Sequence, residues 1–505
     1  MVLSAYHTQP LSPSGIAHSV SLHLTSSKAP SSSRQSHRGR LISHIVSARD
    51  DVLQVYEVRS RDDTGIVSIY HLRSHQINGI VTGLGKCRIN SNADDANSSA
   101  SEGEKDTLVI SFKEAKMTLM QWSDVEADLI TISIHTYERA AQMAEGLPEH
   151  FLPILQVDPE SRCSALLLPD DAMAILPFYK DTAEELDEML QMVGDNQVDL
   201  SIERSLPYAP SFILSLQKAD PAIKNIRDFA FLPNFQRPTV AVLFERERTW
   251  TGRLNELHDT CAVRIITLDL TSSADASHSV ISTRDGLPYS SLYVVAGPQS
   301  LGGGVFIVTS FAILHVDQGG RVVGIAVSNW HTQTSRLSLP NVTTSEARNK
   351  LALGLENSQL VFPDASLPIA LLILQDGSIF TINCALEGRT LTSMSLAHKG
   401  ETVQPSAASM LPGSDLVLVS SMVGQSSLLR ARKMQVAVEK VEEVDDVDMD
   451  LDADLYGDSA ISGIANGSGL SGGTKKLDLQ IEEAASIPAF GPILDIAPAV
   501  VNDTE

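Results

Sequence analysis

The stretch "ALLILQDGSIFTINC" (Ala370 to Cys384) is two short apolar runs joined by Asp376-Gly377, a dipeptide suited to a tight β-hairpin because glycine reaches positive φ without a Cβ clash. The same plan recurs along the chain. "LISHIVSARDDVLQVYEV" (Leu41 to Val58) turns at Arg49-Asp50-Asp51, "SALLLPDDAMAILPF" (Ser164 to Phe178) at Pro169-Asp170-Asp171, and "FAILHVDQGGRVVGIAV" (Phe311 to Val327) between Asp317 and Gly320. "DLVLVSSMVGQSSLLRAR" (Asp415 to Arg432) repeats it again. Hairpins spread this widely, with few helical segments, predict an all-β protein. They are too many for one sandwich of about 100 residues. Their spacing suits four-stranded blades, so residues 1–435 are expected to form a divergent, WD40-like, seven-bladed β-propeller at roughly 45 to 60 residues per blade. No Gly-His to Trp-Asp repeat marks the blades.

Interruptions of this pattern set the remaining boundaries. Residues 27–40 ("SKAPSSSRQSHRGR") and 90–106 ("NSNADDANSSASEGEKD") read as exposed loops between strands. Residues 1–49 contain no Asp or Glu, the composition of an organellar transit peptide, but "GIAHSVSLHLTS" (Gly15 to Ser26) alternates as a strand does. In 182–193, Leu186, Met189, Leu190 and Val193 share one helical face behind a Thr182/Glu185 capping box, which predicts one short helical insertion. Residues 436–480 are acidic and then Gly/Ser-rich, the composition of a solvated linker. The final segment, 481–505, is expected to lead towards a second propeller.

The 505 residues carry a formal net charge of −24. Nucleic-acid affinity rests largely on neutralising phosphates, so the whole chain is expected to bind RNA or DNA weakly by itself. No apolar run approaches the ~18 residues a membrane helix needs. Cys87, Cys163, Cys261 and Cys384 lie far apart without a CxxC pair, which argues for buried thiols rather than a zinc or redox site.

Several stretches mimic chemistry and fail on named positions. Asp448, Asp450 and Asp452 alternate like EF-hand ligands, but a loop starting at Asp448 has Ala453 where glycine must turn and Ser459 where a bidentate Glu must chelate. A phosphate loop in "GSGLSGGTKK" puts Gly473 where the lysine belongs. Gly302 to Gly304 lie between two apolar runs, as a turn does. Isolated histidines such as His135 and His315 read as packed or surface residues. No catalytic, cofactor-binding or metal-binding residue is assigned, and no enzyme activity is expected.

The order of segments carries a resemblance. "LVISFKEAKMTLMQW" (Leu108 to Trp122), "TISIHTYE" (Thr131 to Glu138), "VDPESRCSALLL" (Val157 to Leu168), "DFAFLPNFQRPTVAVL" (Asp228 to Leu243), "GLPYSSLYVV" (Gly286 to Val295) and "LHVDQGGRVVGIAVSNW" (Leu314 to Trp330) resemble, in that order, the large subunit of the cleavage and polyadenylation specificity factor, fungal forms especially. The resemblance implies three propellers in the longer protein, this chain matching the first. "FGPILDIAP" (Phe490 to Pro498) resembles the passage to the next, so a fragment or truncated chain is expected. It further implies a nuclear, non-catalytic scaffold for pre-mRNA 3′-end cleavage and polyadenylation. Implied partners are the WD-repeat and zinc-finger subunits of that factor, the endonuclease module and poly(A) polymerase, with pre-mRNA reached indirectly and no membrane. The alternatives are a ubiquitin-ligase or DNA-repair adaptor and a splicing-complex subunit, which share the scaffold. The family commonly has Gly-Asp where this chain has Gly424-Gln425, a turn position of small expected effect.

Overall fold

The computed structural model describes residues 14–25, 39–61, 65–89, 105–143, 151–178, 207–270, 278–341, 343–344, 347–350, 352–437 and 475–489. The chain forms two compact units, Met1–Ala431 with Ile481–Glu505, and Arg432–Gln480. Of the second unit, the described residues are strand, 432–437 and 475–480.

Seven four-stranded antiparallel sheets, each of four strands consecutive in the chain, make the β-propeller that the hairpins predict. Blade 1 is His18–Leu22, Arg40–Arg49, Val52–Ser60 and Val67–Gln76; blade 2 is Val81–Cys87, Thr107–Phe112, Lys116–Ser123 and Asp128–Thr136. Blade 3 is Leu155–Val157, Cys163–Leu168, Ala172–Pro177 and Phe212–Ser215; blade 4 is Ile226–Leu232, Thr239–Glu245, Cys261–Thr267 and Ser279–Leu287. Blade 5 is Ser291–Ala296, Val305–Thr309, Ala312–Val316 and Val322–Ala326; blade 6 is Gln359–Val361, Ile369–Ile373, Ser378–Glu387 and Thr390–Glu401. Blade 7 is Ala407–Met410, Leu416–Ser420, Ser426–Ala437 and Lys475–Ile487. The turns read from the sequence occur where expected, with Asp50, Asp170, Asp171, Gly320 and Gly377 at positive φ. At Gly377 (φ 91°) a Cβ would lie 2.0 Å from the Thr402 carbonyl oxygen, so the Asp-Gly hairpin both turns and packs against the next connection.

The middle strands are apolar on both faces because each blade is sandwiched between two others. In Thr107–Phe112, Leu108 and Ile110 pack with Leu22, Val46 and Leu53 of blade 1, while Val109 packs with Leu166, Leu168 and Ala174 of blade 3. Successive side chains on a strand point to opposite faces, so one strand feeds two inter-blade layers. Each fully buried Leu or Ile there contributes about 1.5–3 kcal/mol. Similar clusters join blades 3 and 4, 4 and 5, and 5 and 6.

Among the described residues, the ring closes by packing, without a strand exchanged between its ends. Ile16, Ile45 and Val58 share a core with Leu418, Leu428 and Ile487. The Ile16 N–H donates to the Ser421 carbonyl oxygen (2.8 Å), and the Ser420 hydroxyl bonds that of Ser19 (2.8 Å).

Three boundaries differ from the sequence reading. The propeller does not end at 435, because residues 475–487 supply the last blade's fourth strand. Residues 481–487 therefore belong to that blade rather than to an outgoing segment, and within the 436–480 linker residues 436–437 and 475–480 are strand. "KKLDLQIEEAASI" concealed this because an outer strand faces solvent and needs no apolar run. Second, the loop assigned to 90–106 stops short of Asp106, which is 3% exposed and accepts from the His23 N–H (2.8 Å) and Arg88 Nε (3.0 Å). Third, Arg40, assigned to the loop 27–40, opens a strand. Residues 182–193, 439–458, 467–474 and 490–498 lie outside the described residues. A helix absent from the sequence reading, His331–Thr334, leaves blade 5. No helix among the described residues is long and apolar enough to cross a membrane.

Candidate interaction surfaces

Consecutive antiparallel strands give the propeller two unlike faces. One carries the turns joining first to second and third to fourth strands. The other, the crossover face, carries the second-to-third turns and the connections between blades.

On the turn face, a cleft of about 410 Å³ opens between blades 4, 5 and 6. Its floor is the turn Gly297 to Gly304, in which Gly302, Gly303 and Gly304 have φ of 80°, 73° and 82°. Side chains would cost energy at positive φ, and they would also collide. A Cβ at Gly302 would sit 2.3 Å from the Arg389 carbonyl oxygen, and one at Gly304 2.5 Å from that of Val316. The triple glycine is thus a turn pressed between two blades. His315 beneath it is 2% exposed; its Nε2–H donates to the Gly303 carbonyl oxygen (2.7 Å), and burial holds its pKa below the usual histidine range. Arg321 and Arg389 stand on the rim. Asp317 lines the cleft with Arg321 and Arg389, so the cleft offers shape and mixed charge.

A second cavity, about 430 Å³, opens among the inner strands of blades 7, 1, 2 and 3, lined by His18, Ser19, Thr82, Leu152, Gln156 and Ala407. Its one titratable group, His18, is held below the usual histidine pKa by burial.

All four cysteines are buried and unbridged. Burial pushes Cys261 up to about 11 and Cys384 up to about 12, so these thiols stay protonated and unreactive near neutral pH. His135 stacks edge-on against Tyr208 at 4.9 Å, a packed residue as the sequence suggests. Gly424 has no positive φ; the Ser421 N–H donates to the Ser426 hydroxyl (3.0 Å) and the Gly424 N–H to the Ser421 hydroxyl (3.2 Å). The Gly424-Gln425 turn is therefore held by flanking serines, not by a strained glycine. Among the described residues, no group of three or more His, Cys, Asp or Glu side chains could hold a metal ion.

Sequence reasoning missed one feature of these surfaces, the exposure of Trp250 and Trp330. A signal was available in "RERTWTGR" (Arg246 to Arg253), where an aromatic stands among arginines outside any apolar run.

The chain is 30% identical over 381 residues to protein cft1 of Aspergillus niger, covering 71% of this chain and 26% of that protein. It is 31% identical over 382 residues to protein cft1 of Neurospora crassa, covering 72% and 24%. With protein CFT1 of Yarrowia lipolytica it is 26% identical over 449 residues, covering 88% and 32%. The matched region is thus about a quarter to a third of each relative's length. A family profile described as "RSE1/DDB1/CPSF1 first beta-propeller" matches residues 15–448. With seven blades in place and most of its length matched, the chain belongs to the RSE1/DDB1/CPSF1 first-β-propeller family.

Proposed function

We propose that this chain is a non-catalytic scaffold segment of the nuclear machinery that cleaves pre-mRNA and adds the poly(A) tail, of the type found in the large subunit of the cleavage and polyadenylation specificity factor. The carrying observation is the similarity to cft1 proteins over 71–88% of the chain, within a family whose description includes CPSF1. A closed ring with two differently shaped faces suits a scaffold, since it offers rigid docking surfaces to several partners at once. The proposed partners are the WD-repeat and zinc-finger subunits of the cleavage and polyadenylation factor, with the endonuclease module and poly(A) polymerase in the same assembly. Pre-mRNA is reached through those partners, in keeping with a net charge of −24.

The test is affinity capture of the tagged chain from nuclear extract of a filamentous fungus, read by mass spectrometry. Polyadenylation factors are the expected partners. Recovery of ubiquitin-ligase or splicing subunits in their place would overturn the reading, because the same family spans those scaffolds.

A further inference from the structure

Of the three tryptophans, Trp122 is 8% exposed, whereas Trp250 and Trp330 are 60% and 57% exposed. Trp250 lies in the connection 246–260 between the second and third strands of blade 4, and Trp330 in the connection leaving blade 5. Both connections are on the crossover face, and they are tied together. The Asp259 carboxylate accepts from the Ser335 hydroxyl (2.6 Å) and from the Arg336 N–H (3.0 Å).

Each indole is presented by ordered backbone. The Glu245 carboxylate accepts from the Thr249 N–H (3.1 Å) and the Thr260 hydroxyl (3.3 Å), and the Thr249 hydroxyl donates to the Leu257 carbonyl oxygen (3.0 Å). The Arg253 guanidinium stands 5.5 Å from the Trp250 ring centroid. At the other indole, the Trp330 carbonyl oxygen accepts from the Thr334 N–H (3.1 Å), and buried His331 donates from Nε2 to the Leu337 carbonyl oxygen (2.8 Å). Backbone held in this way loses little further freedom on binding, which suits the indoles to act as interface anchors.

Charge around them is unbalanced. Glu247 and Glu256 pair with Arg253, Asp285 with Arg246 and Arg264, Asp220 with Arg264, and Glu245 with Arg227. Lys224, Arg248 and Arg336 have no carboxylate partner among the described residues, and Asp259, bonded to the Ser335 hydroxyl and the Arg336 N–H, has no cation partner among them. Arg248 instead donates from Nε to Asn225 Oδ1 (2.9 Å), beside Lys224. In a chain of net charge −24, this sector therefore sets three unpaired cations against one unpaired carboxylate, beside two indoles.

We propose that the Trp250/Trp330 sector of the crossover face docks an acidic linear peptide of a partner protein. Its apolar side chains pack on the two indoles, and its carboxylates face Lys224, Arg248 and Arg336. Nucleobases also stack on tryptophan, but a polyphosphate chain runs beyond the ~8 Å over which salt screens charge and meets the acidic remainder of the molecule. A short acidic peptide stays within reach of the unpaired local cations. The inference goes beyond the scaffold function and holds whichever complex the chain joins.

The experiment uses the full chain and a short fluorescein-labelled peptide that interleaves aspartates with leucine and phenylalanine, followed by fluorescence anisotropy. Saturable, salt-sensitive binding is expected, weakened at least about fivefold by Trp250→Ala and by Trp330→Ala. Arg248→Gln should weaken it about two- to fivefold. Both indoles are exposed, so the variants should keep the parent's unfolding midpoint, which reports folding separately. No saturable binding, or equal binding by the tryptophan variants, overturns the proposal. So does a uridylate oligonucleotide that binds more tightly than the peptide and loses affinity in the same variants, since the surface would then be a nucleic-acid site.

Discussion

At the scale of single residues, two buried titratable groups oppose one another. Asp228, on the inner strand of blade 4, accepts from the Val294 N–H of blade 5 (2.8 Å). The residue keeps some accessible surface, but protein encloses its carboxyl group, and burial pushes the pKa from 3.8 up to about 7. The folded chain then holds a proton that the unfolded chain releases, so stability declines as pH rises from about 4 to about 7 and is level above. His44 behaves in the opposite sense. It is fully buried and accepts from the Leu24 N–H (3.2 Å), and burial lowers its pKa from 6.5 to about 4. Unfolding lets it gain a proton, so its contribution is lost as pH falls through that window. The two slopes offset in the parent. Asp228→Asn should leave only the histidine slope: relative to the parent, the variant gains on the order of 1–3 kcal/mol between about pH 5 and pH 8. Denaturant midpoints across that range read the effect, and parallel curves for the two proteins would sink it. At Gly304, a Cβ meets both a positive φ and the Val316 carbonyl oxygen. Gly304→Ala is therefore expected to destabilise by about 2–4 kcal/mol in the same assay.

At the scale of elements, legibility in the sequence follows burial. The second and third strands of blades 1, 3, 6 and 7, and the third and fourth of blade 5, were readable because they are largely apolar and joined by tight turns, as at Asp376-Gly377 and Asp170-Asp171. The outer strand of blade 7 was not, because one edge meets solvent and polar residues suffice there. The strand Lys475–Ile487 is the extreme case, far in sequence from its partner and rich in charge, yet Ile487 is 3% exposed in the core that closes the ring. Ile487→Ala should cost about 2–4 kcal/mol, whereas Ile130→Ala, on an outer strand and 40% exposed, should change stability by no more than about 0.5 kcal/mol. Equal effects would mean that the last strand does not close the propeller. The interaction surfaces were less legible than the strands. The Trp250 sector depends on Asp259 meeting Ser335 and Arg336 from another blade, a juxtaposition made by the ring and absent from any local spacing.

At the scale of the molecule, what decides RNA recognition is the sum of charges rather than any patch. The chain carries 38 Lys and Arg against 62 Asp and Glu. An RNA strand long enough to span several blades would approach this excess at separations where about 0.15 M salt screens only beyond ~8 Å. Some of the cations that could compensate are committed within the protein, as Arg162 is to Asp158 (2.6 Å) and Arg264 to Asp220 (2.6 Å). Phosphate neutralisation releases counterions and makes affinity fall with salt at about −0.7 per contact for single strands; a molecule making few such contacts shows neither the affinity nor the slope. The purified chain is therefore expected to leave a fluorescent uridylate oligonucleotide unbound at physiological salt, with only weak association as salt is lowered. Tight binding with a steep salt dependence would require a basic track that the described surface does not provide, and would place RNA contact in this propeller itself instead of in its partners.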